Sequence, residues 1–199
     1  AWLRMGHLQA EEREYEPFSA QEFRQALAAA RAMTVRAATE WKPELERRCA
    51  AAGVALVFTQ EIPSASVSGA TRWIKKDLAM LQLSLKYKSN DQVWFSFFHE
   101  AAHILLHGKR QMFLEFPGRN DSDEEQEADA FARDILIPPA ESPKLPFLKT
   151  GALIRQFAHS IGVDGGIVVG RLQHDGLLSP KCCNSLKRKI DWKTDLSGR

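Results

Sequence analysis

Gly53 divides the chain into two hydrophobic patterns. Before it the apolar positions recur with helical spacing. Ser19 followed by Glu22 reads as a capping box for an Ala-rich helix over 20–33, and a second helix over 41–52 stops at Gly53. Residues 1–18, with Glu11-Glu12-Arg13-Glu14 and then Pro17, hold no sustained period and read as a linker or irregular start. After Gly53, Val54 to Phe58 reads as a buried strand. Ser66 to Ile74, interrupted at Gly69, predicts a second. From Met80 to Tyr87, Leu81, Leu83, Leu85 and Tyr87 alternate with Gln82, Ser84 and Lys86, the pattern of a half-buried strand. Ser89-Asn90-Asp91 caps a helix over 91–107 that stops at Gly108. A loop ending in Asn120-Asp121-Ser122-Asp123 leads to a helix over 122–137, with an acidic first turn and Pro138-Pro139 at its end. Helices over 150–161 and 164–174 flank Gly162, and a basic, irregular tail begins at Pro180. No internal repeat or low-complexity segment appears.

Composition narrows the class. The chain has 199 residues, 44% hydrophobic and 26% charged, which fits one globular domain or one domain with an appendage. A formal net charge of +2 gives no bulk electrostatic reason to bind nucleic acid or an anionic membrane. No apolar run approaches the roughly 20 residues of a membrane helix, and the first residues lack a signal peptide's apolar stretch. Ala1 in place of Met fits either ordinary processing or the C-terminal piece of a longer chain. Cys49, Cys182 and Cys183 are too few and too oddly placed for a disulfide framework and read as reduced thiols of a cytoplasmic protein.

The chemistry concentrates in the helix over 91–107. Trp94, Phe95, Phe97, Phe98, Ala101, Ala102, Ile104, Leu105 and Leu106 make it apolar nearly all round, the mark of a buried helix. It also carries Ser96, His99, Glu100, His103 and His107 on one side. An unpaired polar stripe in the core would cost several kcal/mol, on the order of 2–7 per group; a bound cation offsets that cost. His99-Glu100-Ala101-Ala102-His103 is the H-E-x-x-H arrangement of zinc-dependent peptide-bond hydrolases. An i, i+4 step offsets the two imidazoles by only about 40° around and about 6 Å along the axis, so both reach one zinc ion. Glu100 points past that ion, placed to take a proton from an attacking water. His107 sits about 12 Å from His99 along the axis and cannot share the ion on a straight helix; it reads as a C-terminal cation or a polar rim group. Leu106 and Lys109 stand where the metzincin pattern needs Gly and His, which excludes that pattern.

A catalytic zinc needs a third protein ligand and one open position. The helix over 122–137 offers carboxylates. If Ala128, Phe131, Ala132 and Ile135 form its apolar face, Glu124 and Glu127 border that face while Glu125 and Asp129 point away. Spacing does not separate Glu124 from Glu127.

His99 to His107, then Glu125-Gln126-Glu127-Ala128-Asp129-Ala130-Phe131-Ala132 and Leu136-Ile137-Pro138, resemble the ImmA/IrrE metallopeptidase family, with its H-E-x-x-H-x-L-L-H and E-x-E-A-[ND]-x-F-A before L-x-P. Ser68 to Trp73 and Trp94-Phe95-x-Phe97-Phe98 resemble the branch in which an Xre-type helix-turn-helix precedes the domain, as in antitoxin-type regulators of transcription. The resemblance implies a gluzincin-like site with His99, His103 and Glu127 as zinc ligands and Glu100 as catalytic base. It also implies a repressor-type protein or peptide as substrate. Phe131 stands where thermolysin-type enzymes carry an Asp four residues after the third ligand, which leaves the histidines' second partner unassigned. The expected fold is α+β: a small, mostly antiparallel sheet packed on the buried metal helix, with flanking helices. The expected organisation is a linker (1–18), N-terminal helices (19–53), a metallopeptidase-like domain (54–176) and a tail (177–199). DNA contact is expected only through a helix-turn-helix absent from this chain, with no membrane contact and a homodimer as one assembly.

The alternative to an endopeptidase is a catalytically silent, peptidase-like sensing or binding module of an antitoxin-type regulator. Phe157 to Val163 resembles the turn of a helix-turn-helix, but an αα-hairpin beside the core is the stronger reading, because Asp164-Gly165-Gly166 opens a poor recognition helix. Arg72, Tyr87, His159 and His174 are unranked candidates for stabilising an oxyanion. The Met80–Tyr87 strand is the candidate edge for pairing with an extended substrate. Lys75-Lys76, Lys86, Lys88 and Lys187 to Lys189 read as solvated charge.

Overall fold

The computed structural model describes residues 1–60, 67–84, 89–108, 113–115 and 122–190. Ser66, Leu85, Lys86, Tyr87 and Lys88, the loop end at Asn120-Asp121 and the last part of the tail lie outside the described residues.

In chain order the elements are α1 (Trp2–Glu11), α2 (Ala20–Met33), α3 (Ala38–Ala51), β1 (Val54–Thr59), β2 (Gly69–Lys75), β3 (Leu78–Ser84), α4 (Asn90–Leu106), β4 (Phe113–Glu115), α5 (Asp123–Leu136), α6 (Gly151–Ile161) and α7 (Gly165–His174). Short 3-10 turns cover Ser142–Phe147 and Asn184–Leu186. Capping explains several boundaries. Ser19 accepts from the Glu22 N–H, Ser122 from Glu125 and Thr150 from Leu153, each satisfying a free first-turn donor. Gly53 ends the α3 segment at φ 75, where a Cβ would meet the Phe18 backbone at 2.3 Å, so both the conformation and the space require glycine.

The class is α+β. The sheet runs β1-β3-β2-β4, with β1 and β3 parallel and the other two pairings antiparallel. One face lies on α4, whose Trp94, Phe97 and Phe98 are fully buried and meet Trp41 of α3 at 4.8 Å from Trp94. Residues 2–11 are not an irregular start but α1, which covers the opposite face. Gln82 Nε2 donates to the Trp2 carbonyl (2.9 Å) and to Thr59 Oγ1 (2.9 Å) beneath it. Every residue of β3 is therefore buried, not every second one. The alternation of Gln82 and Ser84 with leucines is real, but Gln82 bonds under α1, a second layer that the sequence did not reveal, and Ser84 donates to the Val67 carbonyl. β3 is also an interior strand, so it offers no edge to a substrate; among the described strands the edges are β1 and β4. A Cβ on Gly6 would stand 2.2 Å from Gln82 Oε1. Gly6→Val is expected to undock α1 and cost about 1–3 kcal/mol, read as a lower urea midpoint.

Arg31 of α2 closes the far side by donating to the Ile135 and Leu136 carbonyls at the end of α5 and to Ile161 at the end of α6. The α6–α7 pair is an αα-hairpin. Gly166, Ile167, Val168, Val169 and Leu172 of α7 are buried, which leaves no recognition face. The tail is not wholly irregular or solvated. Ser89 pairs with Lys189, Ile190 is buried, Lys187 meets Asp91 at 2.8 Å, and Arg188 meets Asp164 at 2.9 Å.

Candidate metal centre

His99 and His103 lie one turn apart on α4, both buried, with Nε2 atoms 3.1 Å apart. Helix α5 brings Glu125 against them: its Oε2 is 3.1 Å from His99 Nε2 and its Oε1 is 3.5 Å from His103 Nε2. These three are the only group of three or more metal-ligating side chains among the described residues. Tetrahedral zinc bonds of 2.0–2.2 Å put neighbouring donor atoms about 3.3 Å apart, which matches the 3.1–3.5 Å observed. Two imidazoles and a carboxylate are also the donor set zinc takes at sites with an open position. The residues present fit the ion.

The expected third ligand, Glu127, is elsewhere. Its side chain is 65% exposed, and its Oε2 lies 3.3 Å from His107 Nε2. The cause is the true buried face of α5. The fully buried residues are Ala128, Ala132 and Leu136, while Phe131 and Ile135 are only partly covered. On a helical wheel Glu125 falls about 20° from the centre of that face and Glu127 about 140° away. The available signal was small size: Ala128 and Ala132 let α5 approach α4 closely, and the carboxylates flanking them face the histidines.

Asp129, also expected to point away, meets His99 Nδ1 at 2.8 Å. Counted from Glu125 as the candidate third ligand, Asp129 holds the position four residues on that Phe131 holds in the count from Glu127. It sets the His99 tautomer, so that Nε2 presents its lone pair toward His103 and Glu125, where a metal would sit. His103 Nδ1 lies 2.8 Å from His107 Nδ1. One consistent set of protons runs outward: His103 Nδ1–H donates to His107 Nδ1, and His107 Nε2–H donates to Glu127. His107, the C-cap residue of α4, thus also orients a histidine of the site. His107→Phe and Asp129→Ala are each expected to weaken zinc binding about 10–100-fold, checked by competition with a chromophoric chelator.

The sheet holds the other side. Thr71 of β2 stands opposite Phe113 of β4. Thr71 Oγ1 donates to Glu100 Oε2 at 2.6 Å, and the Phe113 ring stacks on His103 at 4.0 Å. A Cβ at Gly69 would lie 2.4 Å from Glu100 Oε1, so this glycine makes room for the carboxylate. Gly69 stood out in the sequence only as a strand interruption and Thr71 only within the Ser68–Trp73 resemblance; their place beside Glu100 required the β2 register. Of the oxyanion candidates, Arg72 faces the α1 side beside Leu3 and His7, His159 is exposed on α6, and His174 pairs with Asp175. Tyr87 is outside the described residues.

Burial, with the neighbouring His99 and His107 adding, pushes His103 down to about 3. The ring is neutral at ordinary pH, as a ligand must be. In the metal-free protein the folded pKa is below the unfolded value of about 6.5, so the unfolded chain binds the extra proton. Stability is therefore full above about pH 6.5 and declines as pH falls toward 3. His103→Leu is expected to flatten that decline in thermal melts with chelator present.

The residues of the metal centre fall in one matched segment. Residues 49–147 match the family model described as the IrrE N-terminal-like domain, a peptidase family. They form an IrrE N-terminal-like peptidase domain. The domain spans β1 through the first 3-10 turn and contains His99, Glu100, His103, His107, Glu125 and Asp129. This supports a peptidase-related function of the metallopeptidase type. No curated protein matches the chain. No helix among the described residues is long and apolar enough to cross a membrane.

Proposed function

We propose that the IrrE N-terminal-like domain is a zinc endopeptidase that cuts a protein partner, with His99, His103 and Glu125 holding the ion and Glu100 as catalytic base. The observation that carries this reading is the convergence of His99, His103 and Glu125 at tetrahedral spacing beside a buried carboxylate. Zinc held there would acidify a water and polarise the scissile carbonyl. Glu100 takes the proton from the attacking water and returns it to the leaving amine. The Thr71 hydroxyl favours the ionised carboxylate and fixes its direction. Asp129 and His107 hold the two imidazoles in register. β4, the sheet edge next to the site, takes over from β3 as the strand on which an extended peptide would pair.

The partner we propose is a repressor-type regulator, and the setting is cytoplasmic regulation of transcription of the toxin–antitoxin kind. DNA contact in that setting belongs to a separate helix-turn-helix. One observation favours the second reading, a silent module that binds without cutting: Glu100 is completely buried. Incubation with a mixed peptide library and mass spectrometry of the products separates the two. Endopeptidase action predicts cleavage that a chelator stops and zinc restores; a silent module leaves the library intact while still taking up zinc.

A further inference from the structure

A cavity of about 270 Å³ lies between α4, α5 and α7, apart from the metal ligands. Phe95, Leu136 and Ile167 give it apolar walls, and its charged lining comes from Asp91, Arg133, Arg171 and Lys187. Two of the cations are already matched: Lys187 meets Asp91 at 2.8 Å, and Arg171 Nε meets Asp175 at 2.6 Å. Arg133 has no ion pair among the described residues, and its Nε is buried without a hydrogen-bond partner. Arg171 Nη1, from the facing helix, is buried and unpartnered in the same way. A position in the last turn of α5 suits the sign of Arg133 but supplies no acceptor. Guanidinium nitrogens removed from water without an acceptor are costly, and an oxyanion is the partner that fits them best.

We infer that this cavity binds a small apolar carboxylate, its acid group held by Arg133 and Arg171 and its body against Phe95, Leu136 and Ile167. Apolar walls with a few convergent polar groups are the usual make-up of a small-molecule site, and this volume suits a ligand of benzoate size. Asp91 on the same lining disfavours a multiply charged anion such as phosphate. The cavity adjoins the metal centre through one ring: Phe95 lines it and lies 6.2 Å from the His99 ring. Arg133 follows Asp129 by one turn of α5. A bound carboxylate therefore bears on both helices that hold the candidate ligands. The inference does not depend on peptide hydrolysis.

Isothermal titration of the full chain with benzoate, benzyl alcohol and inorganic phosphate tests it. Benzoate is expected to bind at least tenfold more tightly than either of the others. Arg133→Met, checked for an unchanged melting temperature, should weaken benzoate at least tenfold, and Glu125→Ala should not. Equal binding of benzyl alcohol or phosphate would overturn the inference, as would loss of benzoate binding in Glu125→Ala with retention in Arg133→Met. If Arg133→Met fails to fold, the three-ligand comparison on the native chain still decides.

Discussion

Glu100→Gln is expected to retain zinc and lose peptide hydrolysis by about 10²–10⁴-fold, the usual worth of a general acid–base group. The amide has the same shape as the carboxylate, so the space left by Gly69 still holds it, and its carbonyl oxygen can still accept from Thr71 at the 2.6 Å position. What it lacks is a site for the proton. Because the side chain is fully buried, removing its charge does not unbalance a surface network, and stability should not fall. The measurement pairs initial cleavage rates with zinc content on one preparation. Activity within tenfold of wild type, with zinc retained and contaminating protease excluded, would remove Glu100 from the chemistry.

The second large effect separates two glutamates that are two residues apart. Glu125→Ala is expected to weaken zinc binding by more than the about 10–100-fold that loss of an outer partner brings, because its carboxylate is the only acid within ligand distance of both imidazoles among the described residues. Glu127→Ala is expected to stay within or below that outer range, since this carboxylate meets only His107 and is largely exposed. Equilibrium competition against a chelator of known affinity ranks the variants. The reverse order, with Glu127→Ala the weaker binder, would return the ligand role to Glu127 and make the α5 geometry wrong.

These two glutamates also show where sequence reasoning stops. Helices α2, α4, α5, α6 and α7 were legible within a residue or two, because Ser19, Ser89-Asn90-Asp91, Gly108, Pro138-Pro139 and Gly162 punctuate strong periodicity. The histidine pair was legible because i, i+4 spacing is a property of one helix. The third ligand depends on how two helices meet, and hydrophobicity alone misplaced the face of α5: Phe131 and Ile135 are the larger apolar residues, but Ala128 and Ala132 make the close contact. The same limit hid α1. Its segment is no more polar than the rest of the chain, but the charged run Glu11-Glu12-Arg13-Glu14 at its end and Pro17 beyond it hid the helix, and only the sheet beneath reveals that Trp2, Gly6 and Ala10 form a buried stripe. With α1 unseen, β3 seemed half-exposed, and with the strand order unseen it seemed an edge available to a substrate. Thr71 and Phe113 were out of reach for a related reason, since strand register is set by pairing between β2 and β4.

The most direct test of the metal centre is a crystal of the zinc-loaded chain with anomalous data collected at the zinc edge. The prediction is one peak about 2.0–2.2 Å from His99 Nε2, His103 Nε2 and a Glu125 carboxylate oxygen, with Asp129 and His107 still on the outer ring nitrogens. A peak ligated by Glu127 instead, or no peak between the two histidines in a protein saturated with zinc, would contradict it.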